Sequence, residues 1–207
     1  FSNSSMFEKV ESVKGFVNFK LSVSFLESLV NNALNKKNEF AKEDKKNEKI
    51  LLEYVSANPT GPLHIGHARG AIAGDSLARV GKYLGFDITT EYYINDAGAQ
   101  MDLLGLSVSL AARDFIFKED VVYPETYYRG EYLIDIANIV IEKFGKDIIY
   151  NESRFKEIAF FSKDLVMDII IKDLKDLGIT FDNFVSEKSL YPSWDSTKKV
   201  LQENGSL

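Results

Sequence analysis

Hydrophobic and polar residues form three distinct patterns in the first quarter of the chain. GFVNFKLS, residues 15–22, alternates between the two classes and predicts a β-strand. VSFLESLVNNALNK, residues 23–36, repeats its apolar residues at helical spacing and predicts a helix. KKNEFAKEDKKNEK, residues 36–49, is mostly charged and predicts an exposed connector at a domain boundary, with a basic contact for RNA as the functional alternative.

The middle of the chain has the pattern of a strand, a helix and a second strand. ILLEYVS, residues 50–56, predicts a short strand, and FDITTEYYIN, residues 86–95, predicts the next one. Between them, the pattern predicts a helix that starts near Gly66 and ends near Gly85. A crossover of this kind joins parallel strands, so an α/β fold with a parallel sheet is predicted.

The second half of the chain has predominantly helical patterns. Residues 95–115 begin with turn residues and continue as a predicted helix. Residues 131–145 and 154–178 predict two amphipathic helices, and Gly178 ends the second. These helices predict an insertion or a subdomain on the substrate side of the sheet.

Composition narrows the class of protein. The 207 residues are 45% hydrophobic with a net charge of −6, which allows one or two domains and limits any RNA contact to a local patch or to segments outside the sequence. No cysteine is present, so disulfides and thiolate metal sites are excluded. No membrane span or secretory signal is predicted. Because the chain lacks an initiating Met and ends without a clear stop, we expect a piece of a longer protein.

NPTGPLHIGHARG, residues 58–70, contains both histidines of the chain, His64 and His67. The segment lies between a predicted strand and a predicted helix, where α/β sheets bind ligands and where helix N–H groups suit a phosphate. Gly61 and Gly66 allow close backbone approach, and imidazoles there can donate hydrogen bonds to phosphate oxygens in a transition state. The alternatives are half of a metal site completed by carboxylates, or a purely structural pair. We predict a nucleotide site and no protein-bound metal.

PLHIGH resembles the HIGH motif of class I aminoacyl-tRNA synthetases, and residues 53–101 as a whole closely resemble the arginyl-tRNA synthetases. YRGEY at residues 128–132, GITFDNFVSE at residues 178–187 and the strand GFVNFKLS are similar to other segments of that family. The resemblance implies a partial, Rossmann-like parallel sheet, the first half of a class I catalytic domain. A helical insertion and a remnant of an N-terminal α+β domain would accompany this sheet.

The resemblance also implies a domain organisation. Residues 1–48 would be the end of an N-terminal tRNA-contacting domain with its linker. Residues 49–115 would be the first half of the Rossmann catalytic domain with the HIGH motif. Residues 116–207 would be the helical insertion and the truncated continuation of the catalytic domain. The implied enzyme is an arginine–tRNA ligase that forms arginyl-adenylate from L-arginine and ATP, with Mg²⁺ accompanying ATP, and transfers arginine to tRNA(Arg). We expect a cytoplasmic, monomeric full-length protein without a membrane partner.

The resemblance implies roles in ATP binding for the matching residues of the HIGH loop. His64 and His67 would act in catalysis by contacting the ATP phosphates, and Gly66 would lie beneath the adenine or the ribose. Gly61 and Pro62 would complete the ATP-binding loop.

The resemblance assigns the arginine pocket to the preceding segment. Ser56 and Asn58 would line it, Asn58 holding the α-amino group, and Glu53 would accept paired hydrogen bonds from the guanidinium. The alternative for Glu53 is an exposed charge at the end of a strand.

Asn95, Asp96 and Gln100 follow a predicted strand and begin a predicted helix, so they are expected to face the same cleft. The alternative is a turn in which Asp96 caps the helix.

The family's second signature, a lysine-bearing Met-Ser-Lys segment, has no counterpart in the sequence, so we expect that this chain alone does not charge tRNA. Two other functions remain open. A different HIGH-motif nucleotidyltransferase would bind ATP and ignore arginine. A non-catalytic tRNA-binding module would bind RNA in a salt-dependent way even after both histidines were replaced.

Overall fold

The computed structural model describes residues 5–207, and they form two compact units. The first unit contains the described residues through Lys46 together with Tyr83–Gly85. The second contains Asn47–Lys82 and Phe86–Leu207. Within residues 5–207, no helix combines the length and the hydrophobicity that a membrane span requires.

Residues 5–207 contain five strands and seven α-helices. In chain order they are β1 (Phe7–Val13), β2 (Phe16–Leu21), α1 (Val23–Lys36), β3 (Lys49–Glu53), α2 (Ile65–Tyr83), β4 (Asp87–Ile94), α3 (Ala99–Ala111), α4 (Tyr132–Phe144), α5 (Phe155–Asp176), β5 (Asn183–Ser186), α6 (Glu187–Leu190) and α7 (Trp194–Glu203). A π-helical turn, Ala112–Ile116, continues α3. Short 3₁₀ turns occupy Lys37–Glu39, Lys146–Tyr150, Glu152–Arg154 and Tyr191–Ser193.

The first unit contains an antiparallel hairpin of β1 and β2 followed by α1. Lys14 and Gly15 both have positive φ, at 50° and 84°, as a two-residue hairpin turn of the primed type requires. Ser22 caps α1, its hydroxyl accepting a hydrogen bond from the Phe25 N–H at 3.2 Å. The predicted strand and helix are therefore present. β1 was not predicted, since a register irregularity follows Phe7 and its apolar residues do not alternate.

The second unit is built on a parallel sheet in the order β3-β4-β5. Glu53 is the last residue of β3 and lies opposite Glu91, while Ile94 of β4 lies opposite Ser186 of β5. The carboxyl ends of all three strands therefore meet at one edge of the sheet. The predicted α/β class with a Rossmann-like parallel sheet is confirmed.

Hydrogen bonds between Thr90 of β4 and Asp182, just before β5, attach β5 to the central strand. The N–H and the hydroxyl of Thr90 donate to the Asp182 carboxylate at 2.8 and 3.0 Å, and the Asp182 N–H donates back to the Thr90 hydroxyl at 3.0 Å. The backbone hydrogen bond is the main reason that the pKa of Asp182 lies below its ordinary value. Sequence analysis did not predict β5, because four residues are too few to establish a pattern of alternation.

The first predicted strand of the sheet ends earlier than its sequence suggests. It was predicted over residues 50–56, but β3 ends at Glu53. Val55 and Ser56 have φ values of 67° and 39°, which an extended strand cannot accommodate. The helix predicted within residues 95–115 is present as α3, Ala99–Ala111, with its π-helical continuation to Ile116. The remaining predicted helices and the strand after α2 lie within two residues of their predicted bounds.

The core of the second unit lies where α3 packs between α4 and α5. Its fully buried large side chains include Leu104, Val108, Ile136, Val140, Ile158, Val166, Ile170 and Leu174. α3 is buried along most of its length despite two serines, since Ser107 and Ser109 donate to the carbonyls of Leu103 and Ile149 at 2.7 and 2.6 Å. A Cβ at Gly105 would overlap the carbonyl oxygen of Phe155, so the glycine sets the distance between α3 and α5.

Gly105→Ala is expected to lower the free energy of unfolding by roughly 1–3 kcal/mol, because the methyl group meets backbone atoms that can move only with the helix. Gly70→Ala is the matched control. Gly70 lies in α2 with open space around its would-be Cβ, so alanine there should stabilise the helix by roughly 0.5–1 kcal/mol. Urea unfolding of both variants measures the difference. Equal effects would contradict close packing at Gly105.

Candidate active site

The loop after β3 leaves the sheet through a tight left-handed turn. The Ser56 N–H donates to the Tyr54 carbonyl at 3.0 Å, which closes a three-residue turn around Val55. Positive φ is uncommon for a β-branched residue and marks backbone strain, which occurs preferentially at binding sites. The turn moves the following residues away from the line of the strand.

Two tyrosine hydroxyls, from the buried Tyr92 and the half-buried Tyr132, hold this loop in place. Tyr92 of β4 donates to the Ala57 carbonyl at 2.8 Å, and Tyr132 of α4 donates to the Thr60 carbonyl at 2.6 Å. Burial raises the pKa of each phenol to about 12, so both remain donors over the physiological pH range. The Tyr93 N–H also donates to the Ser56 hydroxyl at 3.0 Å. Distant parts of the chain therefore fix the shape of the loop.

The YRGEY segment supports the loop from α4. A Cβ at Gly61 would lie 3.2 Å from the Tyr132 hydroxyl oxygen, so the two residues touch closely. A Cβ at Gly130 would lie 2.7 Å from the Tyr132 ring, and Gly130 has a φ of 145°. Both glycines therefore make room for the tyrosine that anchors the loop.

His64 and His67 stack against each other at the start of α2. Their ring centroids lie 3.7 Å apart with an angle of 20° between the planes. The Gly66 N–H donates to His64 Nδ1 at 3.1 Å, and the His64 N–H donates to His67 Nδ1 at 3.3 Å. Because each Nδ1 accepts a hydrogen bond, the proton of each neutral ring belongs on Nε2. The pair can thus present two Nε2–H donors to a ligand.

Gly66 is required for this arrangement, because a Cβ there would lie 2.9 Å from His64 Cε1. Burial, followed by repulsion from His64, lowers the pKa of His67 below 6.5. His67 is therefore neutral at pH 7 and donates without carrying a charge.

The predicted arginine-binding residues lie together on one short segment. Glu53 is exposed at the carboxyl end of β3, and its carboxylate makes no hydrogen bond or ion pair with the described residues. Asn58 is also exposed, while Ser56 is half-buried and already accepts the bond from Tyr93. Glu53 and Asn58 are thus available to a ligand.

Asp96 is buried, and its carboxylate is fully engaged. It accepts hydrogen bonds from the Ser186 hydroxyl at 2.7 and 2.8 Å and from the Lys188 N–H at 3.1 Å, and Lys163 Nζ lies 3.7 Å away. The alternative that Asp96 caps the next helix is wrong, since Gly98 is the N-cap of α3 and the cap lacks a side-chain bond. Asp96 instead joins the end of β4 to the beginning of α6.

Gln100 and Asn95 also bond to each other, the Gln100 amide donating to the Asn95 carbonyl at 3.3 Å. Sequence analysis missed Ser186 and Lys188 as partners of Asp96 and missed Tyr92 as a loop anchor. Only the YRGEY segment gave a local signal, for Tyr132.

Residues 5–207 contain no group of three or more His, Asp or Glu side chains placed to hold a metal ion.

A family model for tRNA synthetases class I (R), catalytic domain, matches residues 29–204. The chain belongs to this family. Among its relatives is the arginine–tRNA ligase of Aliarcobacter butzleri, 76% identical over 205 residues, which are 99% of this chain and 39% of that protein. This member of the arginyl-tRNA synthetase family therefore spans about two fifths of the length of the curated relatives that it matches.

Solved structures agree with this assignment. A crystal structure described as an arginyl-tRNA synthetase from Campylobacter jejuni has a TM-score of 0.80 and 49% identity, covering 88% of this chain and 40% of that one. The arginyl-tRNA synthetase of Thermus thermophilus has a TM-score of 0.59 at 21% identity, covering 97% of this chain and 33% of that one, and shares the fold.

The pKa of His67, measured by an NMR titration, should lie below 6.5 and should rise towards that value in His64→Gln, since the neighbouring charge is lost while burial remains. Because the unfolded chain binds this proton more readily, the stability contributed by neutral His67 is present above about pH 6.5 and is lost as the pH falls towards the folded pKa. A pKa for His67 at or above 6.5 would contradict the stacked arrangement.

Tyr132→Phe is expected to lower the free energy of unfolding by about 1 kcal/mol, because the buried Thr60 carbonyl loses its donor. Tyr127→Phe is the control, since the Tyr127 hydroxyl makes no hydrogen bond with the described residues. Chemical unfolding of both variants tests the anchor. A Tyr132→Phe variant as stable as the control would show that the hydrogen bond contributes nothing.

Proposed function

We propose that this chain is the part of an arginine–tRNA ligase that binds ATP and arginine. In the proposed reaction the arginine carboxylate attacks the α-phosphate of ATP, releasing pyrophosphate, and the arginyl group then passes to the terminal adenosine of tRNA(Arg). The observation that carries the proposal is the stacked His64–His67 pair, which can present two Nε2–H donors at the start of α2. Membership in the family supports the assignment of arginine.

The ATP site consists of Gly61, Pro62, His64, Gly66 and His67. The two imidazoles stabilise the charge that develops on the phosphate oxygens, and Gly66 keeps the space in which the ring of His64 folds back. Mg²⁺ accompanies ATP through the phosphates, in keeping with its preference for a few carboxylates and phosphate oxygens over a protein cage.

The arginine site consists of Glu53, Ser56 and Asn58. An exposed carboxylate without a partner in the described chain suits a planar guanidinium, which can form two parallel hydrogen bonds with it. Ser56 would keep its bond to Tyr93 and help to position the segment, while the amide of Asn58 is available for the α-amino group.

Asn95, Asp96 and Gln100 form the neighbouring wall of the proposed cleft, at the carboxyl end of the central strand. The hydrogen bonds observed for these residues are made with other residues of the chain, so their proposed contribution is to keep the wall in shape.

The remaining assignments are also proposals. Residues 1–48 would end a tRNA-contacting domain, and residues 49–115 would form the first half of the catalytic domain. Residues 116–207 would form the helical insertion and part of the continuation of the catalytic domain. The full-length protein would be a cytoplasmic monomer. This chain alone would not charge tRNA, because the family's lysine-bearing second signature is not among its residues.

Charging of mixed tRNA with each amino acid in turn, by the full-length protein that contains this chain, tests the proposal. We expect charging with arginine only. His64→Ala should lower kcat by about 10²–10³-fold, the usual loss for one transition-state donor. Glu53→Gln should raise the KM for arginine by roughly tenfold or more, because a charge-assisted pair is lost. Glu48→Gln, just before the opposite end of β3, is the control and should change neither value.

Two outcomes would replace this function with one of its alternatives. ATP binding without any effect of arginine, and without charging, would indicate another nucleotidyltransferase. Salt-dependent RNA binding that survives replacement of both histidines, again without charging, would indicate a binding module.

A further inference from the structure

A pocket of about 620 Å³ lies between the end of α3, the start of α4 and the long connection that joins these two helices. None of its lining residues belongs to the HIGH loop or to the parallel sheet. Its volume is in the range of pockets that hold small molecules. The proposed binding of ATP and arginine therefore leaves this pocket without a ligand.

Two features of the backbone distinguish this pocket from a gap between helices. α3 continues into the π-helical turn Ala112–Ile116, and Asp114 and Phe115 of that turn line the pocket. Single π-helical turns within helices are frequent at functional sites. Residues 117–131, which follow, contain no helix or strand, and connections of this length are uncommon in compact domains unless they have a function.

The connection is fixed to α3 and to its π-helical turn. The Tyr128 N–H donates to the Ser107 hydroxyl at 2.9 Å, and the Tyr123 hydroxyl donates to the Asp114 carboxylate. Burial, together with this hydrogen bond, raises the pKa of Tyr123 to about 12, so the phenol remains a donor over the physiological pH range. The tyrosines of the connection therefore form a defined wall of the pocket.

Aromatic rings line the pocket, and one of them already lies beside a cation. The ring centroids of Tyr123 and Tyr127 are 4.6 Å apart. Phe115 and Tyr128 also line the pocket. The guanidinium carbon of Arg129 lies 4.7 Å from the centroid of the Tyr127 ring, which is the distance of a cation–π interaction. The surroundings of Tyr127 therefore suit a positively charged group.

The charge around the pocket is predominantly negative. Residues 114–135 contain six acidic and two basic side chains. The charged residues in the lining are Asp114, Arg129 and Glu131. Glu131 is the N-cap of α4 but forms no side-chain cap bond, and it makes no ion pair with the described residues. An exposed carboxylate is therefore available at the pocket.

These features select for a positively charged ligand. A phosphate group or an RNA strand would be repelled by the excess of carboxylates. A neutral apolar ligand would cover the carboxylate of Asp114 without neutralising its charge. An ammonium or guanidinium group can instead lie over a tyrosine ring and pair with Glu131, while an alkyl chain packs against Leu133 and Ile134.

We propose that this pocket binds a small organic cation, an amine or a guanidine that carries its charge on an alkyl chain. Tyr127 contributes the face of its ring and Glu131 contributes its carboxylate. The inference is independent of the proposed function, because neither the HIGH loop nor the segment that contains Glu53 contributes to the pocket.

The test uses the full-length protein without tRNA, and the probes are spermidine and agmatine. Spermidine carries only ammonium groups, whereas agmatine carries a guanidinium group at one end and an ammonium group at the other. Dissociation constants are measured by isothermal titration calorimetry at low and at high salt. Proton NMR of each probe gives a second readout, since ligand protons held over an aromatic ring shift upfield.

Matched substitutions separate the ring from the charge. Tyr127→Leu removes the ring, and Tyr127→Phe keeps it. Glu131→Gln removes the negative charge and keeps the shape of the side chain. Glu142→Gln is the control, because Glu142 is an exposed acidic residue of α4 that lies outside the pocket and forms no ion pair with the described residues.

The wild type should bind both probes saturably. Tyr127→Leu should raise the dissociation constant by about three- to tenfold and abolish the upfield shift, while Tyr127→Phe should stay within about twofold of the wild type. Glu131→Gln should raise the dissociation constant by about two- to fivefold at low salt and by less at high salt, because salt screens the lost ion pair. Glu142→Gln should match the wild type. Binding of either probe in this pattern supports the proposal, and the tighter probe identifies the preferred cationic group.

Four results would overturn the proposal. No binding of either probe would show that the pocket takes no organic cation. Equal losses in Glu131→Gln and Glu142→Gln would indicate a diffuse effect of negative charge. Probe binding that is lost in Glu53→Gln but retained in Tyr127→Leu would place the cation in the proposed arginine site. Weaker tRNA binding by Tyr127→Leu, without any binding of the probes, would assign the pocket to RNA.

Discussion

The left-handed turn at Val55 and Ser56 is the constraint on which the rest of the site depends. An extended chain would have carried β3 onward, whereas the turn directs residues 57–64 to the position from which α2 begins. Just before it, the ring of Tyr54 occupies space that a Cβ at Gly74 would need, so strand and helix pack without a gap. The strained backbone is tolerated because hydroxyl groups from β4 and α4 hold the loop on both sides of Pro59.

The features that could be predicted from the sequence are those that depend on residues close together in the chain. The HIGH loop, the strand–helix–strand unit and the long helices all have local patterns, and the stacking of His64 on His67 follows from a spacing of three residues at a helix start. The tyrosine anchors were not predictable in the same way, because Tyr132 lies 72 residues from its acceptor and Tyr92 lies 35 residues away. β1 and β5 were missed for a related reason, since pairing with a neighbour defines them more than alternation does.

Asp96 shows how a residue can have partners different from those that its neighbours in the sequence suggest. A polar residue between a strand and a helix is an ordinary helix cap, and the local sequence contains no reason to prefer another partner. The partners, Ser186 and Lys188, are about 90 residues away and come into reach only because β5 pairs with β4 in parallel register. The buried carboxylate therefore connects the end of β4 to the segment that follows β5.

The two sides of the central strand differ in how they offer hydrogen-bond donors. Beside β3 the donors are paired imidazoles, and burial together with the adjacent ring lowers the pKa of His67, so that His67 is neutral at pH 7. Beside β5 the donors are the ammonium groups of Lys156 and Lys188, which are exposed and attract anions through their charge. Neutral donors suit a transition state and charged donors suit capture of a substrate. The two sides of the sheet edge thus differ in the kind of hydrogen-bond donor that each can offer to an anion.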